Sequence, residues 1–154
     1  MAWFENWFDT EYYHLLYSHR NDDEAQQLIS RLIDFLQLKN ASKILDVACG
    51  KGRHSKYFAQ CGMNVTGIDL SENSIHFAKQ FANEKLHFST WDMREVFAEN
   101  EFDVVVNLFS SFGYFDDAED DKRAINAMKK SLKKGGFLIL DFMNPEYIVR
   151  NLKT

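Results

Sequence analysis

A glycine-rich turn between two apolar segments carries the residue types best suited to ligand binding in this chain. The apolar run 44–48 contains Asp46 and leads into a turn with Gly50 and Gly52, and nineteen residues after Gly50 a second apolar run ends in Asp69. A glycine turn that opens a helix presents backbone N–H groups to an anion, and an acid at the tip of the next strand accepts hydrogen bonds from ribose hydroxyls. The pattern predicts a nucleoside-binding site; the simpler alternative is a tight strand-to-helix turn without a ligand.

The segments around this turn alternate between patterns typical of strands and of helices. Apolar, β-branched runs predict strands at 43–48, 64–69, 86–89, 102–108 and 137–142. Helical spacing of apolar residues predicts helices at 21–38, 53–60, 71–82 and 120–132, and a last one that begins at Pro145. Such alternation indicates an α/β fold with a doubly wound, Rossmann-like sheet that is mainly parallel and has helices on both faces.

Composition narrows the class of protein. A chain of 154 residues that is 45% hydrophobic suits one compact domain, and we expect a single domain over 1–154. The net charge of −5 and the lack of a basic run argue against a nucleic-acid partner, and no apolar run approaches the roughly 20 residues that span a membrane. Cys49 and Cys61 form no disulfide framework, and with His54 they match no common zinc spacing, so we expect a cytoplasmic protein without a metal.

The turn itself favours one cofactor over another. A dinucleotide site prefers a third glycine at the position of Ser55. The stretch DVACGKG at 46–52 instead resembles the first motif of class I methyltransferases that use S-adenosyl-L-methionine. Four later stretches resemble further motifs of that family in the same order: VTGIDLS at 65–71, WDMR at 91–94, FDVVVNLF at 102–109 and LKKGGFLILD at 132–141. The likeness covers about residues 43–142 and implies five strands in the order 3-2-1-4-5.

The resemblance implies a role for each matching residue. The first motif would cradle the methionine part of the cofactor, Asp69 would bind both ribose hydroxyls, Leu70 would pack on the adenine, and Asp92 would accept from the adenine amino group. Residues after the fourth strand would lie beside the transferable methyl. The cofactor-binding residues implied in the core are Asp46, Ala48, Cys49, Gly50, Gly52, Arg53, Asp69, Leu70, Asp92, Met93, Asn107, Leu108 and Phe109.

The two ends of the chain are assigned by the same resemblance. Residues 1–40 would form a helical lid over the core at 41–142, with Tyr17 and Arg20 contacting the cofactor; the alternative is that the aromatic side chains there plug a groove. Residues 143–154 would form a last helix. The family sheet usually has seven strands, and no residues remain for its final hairpin. The strand at 137–142 would then be an apolar sheet edge, explained by a gene fragment, a covering partner or a homodimer.

These observations lead to one functional hypothesis and two rivals. We expect methyl transfer from S-adenosyl-L-methionine to a small-molecule acceptor by in-line displacement, in which positioning carries most of the catalysis and no catalytic residue can be named. The first rival is a non-catalytic module, or partial domain, that binds the same cofactor. The second, an NAD-dependent oxidoreductase, is disfavoured by Ser55 and by the Asp92-Met93 motif.

Overall fold

The structure is a computed structural model that describes Thr10, Tyr12, Leu15 and residues 22–152. The strands are β1 (Lys43–Val47), β2 (Asn64–Asp69), β3 (Leu86–Thr90), β4 (Phe102–Asn107) and β5 (Leu132–Leu140). The helices are α1 (Asp22–Leu36), α2 (Arg53–Gln60), α3 (Glu72–Ala78), α4 (Ala118–Ser131) and α5 (Pro145–Arg150), and a short 3₁₀ turn (Lys79–Phe81) follows α3. Tyr17 and Arg20 lie outside the described residues.

The five strands form one parallel sheet in the order β3-β2-β1-β4-β5, which confirms the predicted α/β fold and strand order. The register pairs Asp46 of β1 with Gly67 of β2 on one side and with Val106 of β4 on the other. Because all five strands run in the same direction, their carboxyl ends and the loops that follow them meet at a single edge. The predicted core contacts to the cofactor lie near the carboxyl ends of these strands or in the segments that follow them.

Side chains from the strands alternate between two apolar layers. On one face, Ile44 and Val104 pack with Ile29 of α1 and Phe58 of α2, together with residues of α3. On the other face, a second cluster joins Leu45, Val47, Val105, Ala124 and Met128, the last two from α4. A parallel sheet buried on both faces explains why β1 and β4 read as nearly continuous apolar runs.

Local signals set the helix starts. The Ser71 hydroxyl accepts from the Ser74 N–H at 3.0 Å and caps α3. Asn144 caps α5 in the same way, with Pro145 in the first turn. α4 begins at Ala118, two residues earlier than expected, because Asp117 supplies its cap by accepting from the Glu119 N–H.

Two predicted boundaries were wrong. The helix expected at 71–82 ends at Ala78 and tightens into the 3₁₀ turn, so Ala82, which the predicted helix included, lies beyond the turn and is exposed. The last strand is Leu132–Leu140, not 137–142. Its early start is possible because Lys133–Gly136 bulge beside Asp103, which shifts the pairing with β4 from Phe102↔Leu132 to Val104↔Phe137.

The far side of β5 is an apolar edge, as the sequence indicated. Phe137 is 47% exposed and Leu140 39% exposed, and every residue of α5 is exposed. In the described part of the chain, we find no helix with the length and apolarity needed to cross a bilayer.

Candidate functional site

The glycine turn after β1 adopts the left-handed backbone that glycine favours. Ala48, Gly50 and Gly52 have φ of 56°, 55° and 79°. A Cβ on Gly50 would meet nothing within 4 Å in the described part of the structure, whereas a Cβ on Gly52 would lie 2.7 Å from the Phe88 ring. Gly50 therefore leaves a space above the turn that no described residue fills, and Gly52 allows the α2 helix to begin over Phe88. Nothing in the sequence identified Phe88 as the support of the turn.

Asp69, at the tip of β2, is tied directly to this turn. One carboxylate oxygen accepts from the Gly50 N–H at 2.8 Å, and the other accepts from the Ser71 N–H at 2.9 Å. The two hydrogen bonds hold the carboxylate against Gly50. The predicted pairing of the turn with this acid is thus present in the geometry.

Asp46 lies beneath the turn and is buried. The Ser55 hydroxyl donates to its carboxyl at 2.5 Å. Burial raises the pKa of Asp46 to about 7, and the nearby charge of Asp69 adds to the increase, whereas the Ser55 hydrogen bond opposes it. At neutral pH this carboxyl is consequently near its titration midpoint. Sequence reasoning treated Ser55 only as a missing glycine and overlooked it as the partner of Asp46.

The first turn of α2 contributes one charged side chain, Arg53, and one neutral ring, His54. Burial, aided by the Arg53 charge, lowers the pKa of His54 to about 4, so its imidazole is neutral at pH 7. The Arg53 guanidinium lies 5.5 Å from the centre of the Phe109 ring and so links the turn to the end of β4. Burial raises the pKa of the Cys49 thiol well above its usual value, which keeps it protonated and inert.

The loop after β3 places Asp92 beside a cavity. The cavity has a volume of about 300 Å³ and is lined by Leu70, Thr90, Trp91, Asp92 and Glu95. Leu70 is 42% exposed, which leaves an apolar surface at the mouth. Met93 points the other way and packs against the cluster under α4, so its side chain is structural. Leu70 and Asp92, both predicted at the adenine, border the same space.

The Asp92 carboxylate is held by Arg94. Arg94 Nε lies 3.0 Å from both carboxylate oxygens and Nη2 lies 2.6 Å from one of them, while Nη1 reaches Asp120 of α4 at 2.7 Å. Burial raises the pKa of Asp92, but hydrogen bonds from Arg94 outweigh burial, and the pKa lies below its usual value. Arg94 belongs to the WDMR stretch at 91–94, but the family resemblance implied no role for its side chain.

The end of β4 combines a buried amide with a strained loop. Asn107 is fully buried; its Nδ2 donates to the Val47 carbonyl at 3.0 Å, and its Oδ1 has no hydrogen-bond partner within the described residues. Leu108 is also buried. Phe109 and Ser110 follow with φ of 65° and 54°, a conformation that costs non-glycine residues of order 1–3 kcal/mol each.

Asp141, just beyond β5, holds this strained loop. Its carboxylate accepts from the Phe109 N–H at 3.0 Å, and its carbonyl accepts from the Ser110 N–H at 3.1 Å. Sequence reasoning placed Asp141 in a motif but assigned it no contact. Strained backbone at a strand tip beside a buried unpaired acceptor is typical of a binding site. Across the residues that the structure describes, no cluster of three metal-ligating side chains occurs.

Comparisons with known proteins agree with this geometry. A family model described as a methyltransferase domain matches residues 44–136. An N,N-dimethyltransferase of dTDP-3-amino-3,4,6-trideoxy-alpha-D-glucopyranose from Streptomyces venezuelae is 33% identical over 132 residues, which cover 84% of this chain and 54% of the relative. Rat glycine N-methyltransferase is 29% identical over 134 residues, covering 77% and 46%.

A solved structure gives the same result for the fold. An amino pentose methyltransferase from Micromonospora echinaspora, whose structure contains bound SAM, superimposes with a TM-score of 0.72 at 28% identity. The alignment covers 89% of this chain and 58% of the other. The chain spans about half the length of the curated relatives it matches.

Proposed function

Because the chain belongs to the methyltransferase domain family, we propose that it binds S-adenosyl-L-methionine and takes part in methyl transfer to a small-molecule acceptor. The observation that carries the proposal is the 2.8 Å hydrogen bond from the Gly50 N–H to the Asp69 carboxylate. It holds the acid that we propose for ribose binding against the glycine turn, where a Cβ on Gly50 would meet no atom of the described residues within 4 Å. A nucleoside with a charged amino-acid tail needs both features side by side.

The residues present fit this cofactor. Where a Cβ on Gly50 would stand, no described residue comes within 4 Å. Asn107, at the end of the neighbouring strand, has a buried Oδ1 that accepts no hydrogen bond from the described residues. Leu70 and Asp92 border a cavity at the other end of the same edge. We propose that Gly50 and Asp46 hold the methionine end, Asp69 the ribose, and Leu70 and Asp92 the adenine.

The chemistry is divided between cofactor and protein. When bound, S-adenosyl-L-methionine supplies a methyl group on a sulfonium, a leaving group that needs no acid. The residues of this chain then have to orient the two reactants in line and exclude water. The strained Phe109-Ser110 loop, held by Asp141, is our proposed contact to the acceptor.

The two relatives described above are both named as N-methyltransferases. The Streptomyces venezuelae relative is named for methylation of an amino sugar, and the rat relative for methylation of glycine. We propose a small molecule with a primary or secondary amine as the acceptor. Such a nucleophile must be deprotonated before transfer, so activity should rise with pH through the pKa of the acceptor.

Two glycine variants test the cofactor site. Gly50→Ala and Gly135→Ala both replace a positive-φ glycine (55° and 84°) whose Cβ would meet nothing within 4 Å of the described structure. Both should therefore suffer similar backbone strain. Gly135 lies in the bulge of β5, far from the site, so it is the matched control.

Calorimetric titration with S-adenosyl-L-methionine, S-adenosyl-L-homocysteine and NAD measures the outcome. We expect the wild-type chain to bind the first two and not NAD. Gly50→Ala should weaken them about tenfold or more because its methyl group fills the cradle, and Gly135→Ala should leave the affinity within about twofold. Binding of NAD alone, or equal losses in the two variants, would contradict the proposal. A radiolabelled-methyl assay on an amino sugar nucleotide and on glycine tests transfer separately.

A further inference from the structure

An ion-pair network ties the loop after β3 to the start of α4. Arg94 bonds Asp92 on its own loop and Asp120 on α4, and Arg123 of α4 bonds both Asp120, at 3.0 Å, and Glu95, at 2.6 Å. The Arg94 guanidinium also lies 5.1 Å from the centre of the Phe115 ring. Arg94, Asp92 and Asp120 are each only 25–28% exposed. Partial burial strengthens these pairs relative to surface pairs.

The contacts define one orientation of the Asp92 carboxylate. Arg94 engages it with a side-chain fork, and the Arg94 backbone N–H adds a third donor to Oδ1 at 2.9 Å. A carboxylate offers about four lone-pair sites. Arg94 Nε–H is shared between Oδ1 and Oδ2, so three N–H groups of Arg94 engage the carboxylate and leave it room for one further donor; Asp92 also lines the cavity beside Leu70. The carboxylate is thus ionised, oriented and still able to accept from a ligand.

We infer that Arg94 is a positioning residue that sets the selectivity for a purine with a 6-amino group, by holding Asp92 as an oriented acceptor at the cavity. The inference rests on the proposed function. A clamped, ionised carboxylate accepts from an amino N–H and repels a 6-oxo oxygen. Without the hydrogen bonds from Arg94, the Asp92 side chain can rotate into solvent. The preference for a 6-amino over a 6-oxo purine is then lost, together with affinity for the adenosyl ligand.

The test compares two ligands that differ at the purine. S-adenosyl-L-homocysteine carries a 6-amino group, and S-inosyl-L-homocysteine carries a 6-oxo group with a proton on N1. We expect the wild-type chain to bind the adenosyl ligand about tenfold or more tightly, since hydrogen bonds to a charged group are worth about that factor. The ratio of the two dissociation constants is the readout.

Three variants separate positioning from structural support. Arg94→Met removes the guanidinium but keeps an apolar stem against Phe115; it should weaken the adenosyl ligand about tenfold and bring the ratio below about threefold. Arg94→Lys keeps the charge but cannot hold both oxygens, so its ratio should fall between those of wild type and Arg94→Met. Arg123→Met breaks pairs with Asp120 and Glu95 without touching Asp92, and should keep the wild-type ratio.

The outcomes distinguish this inference from the proposed function. If the wild-type chain does not bind S-adenosyl-L-homocysteine, the proposed function fails. If it binds both purines equally, or if Arg94→Met weakens both by the same factor, Arg94 does not set selectivity and the inference is overturned. Should Arg94→Met fail to fold in a thermal unfolding control, an unchanged ratio in Arg94→Lys would overturn it as well.

Discussion

Asp46 and His54 should make opposite contributions to the pH dependence of folding. Burial raises the pKa of Asp46 from 3.8 to about 7 and lowers that of His54 from 6.5 to about 4. Between about pH 4 and 7 the folded state keeps the Asp46 proton that the unfolded state has lost, so this group makes stability fall as pH rises. Between about pH 4 and 6.5 the unfolded state holds a proton on His54 that the folded state lacks, so this group makes stability rise.

The two contributions are similar in size. One pKa unit corresponds to 1.36 kcal/mol, so Asp46 accounts for about 4 kcal/mol and His54 for about 3 kcal/mol across their windows. They nearly cancel between pH 4 and 6.5 in the wild-type chain. A variant that lacks one of the two groups should therefore show the pH dependence of the other group's contribution to the unfolding free energy. The difference in unfolding free energy between wild type and His54→Gln should rise with pH by about 1.4 kcal/mol per unit, and the difference for Asp46→Asn should fall at the same rate.

Urea unfolding of the cofactor-free chain, followed by tryptophan fluorescence at pH 4.5, 5.5 and 6.5, measures both slopes. Taking differences from wild type removes the contributions of carboxylates that all variants share. The double variant serves as the control, since it should remove both terms. Two differences that stay constant within about 0.5 kcal/mol over this range, or two slopes of the same sign, would refute the assignment of buried, uncharged forms to these residues.

Three further predictions concern Asp46, Asp69 and Gly67. The affinity for S-adenosyl-L-homocysteine should increase about tenfold from pH 6 to pH 8, because Asp46 must ionise beside the ligand ammonium, and Asp46→Asn should abolish this increase in calorimetry. Asp69→Asn should weaken the same ligand about tenfold, measured by the same titration, and should also lower the unfolding midpoint, since the amide keeps only one of the two oxygens that accept from the Gly50 and Ser71 N–H groups. Gly67→Ala should destabilise the fold by about 1–3 kcal/mol in urea unfolding, since its Cβ would lie 2.7 Å from the Phe88 ring; adding Phe88→Leu should restore part of the loss.

The sequence predicted those features that depend on local pattern. Apolar runs located the strands, and Ser71 and Pro145 marked helix starts, because capping and periodicity act within a few residues. The strand order was predicted from the family resemblance. Because the structure confirms this order, the predicted acids lie at one edge of the sheet. The glycine turn and Asp69, nineteen residues apart, could be paired because parallel neighbours share that edge.

Contacts between distant segments could not be predicted in this way. Phe88 fills the space under Gly52 and Gly67 only because β3 lies beside β2. Asp141 accepts from the N–H of Phe109, which lies 32 positions earlier in the chain. Arg94 donates to Asp120, which lies 26 positions later. Each contact depends on side-chain direction in the assembled fold, and no periodicity in the sequence encodes that direction.

Three aspartates at three strand tips illustrate how the fold diversifies one residue type. Asp46 lies deepest, with the Ser55 hydroxyl as its partner, and burial keeps much of it protonated near neutral pH. Asp69 is anchored by backbone N–H groups of the turn and of Ser71, and Asp92 by an arginine fork. The charge of Asp46, near the end of β1, thus depends on pH, whereas the charge of Asp92, after β3, is maintained by its ion pair with Arg94. A cationic ligand bound across the edge would therefore release a proton at Asp46 near pH 7 and none at Asp92, and measuring proton release in two buffers of different ionisation enthalpy separates the two ends of the site.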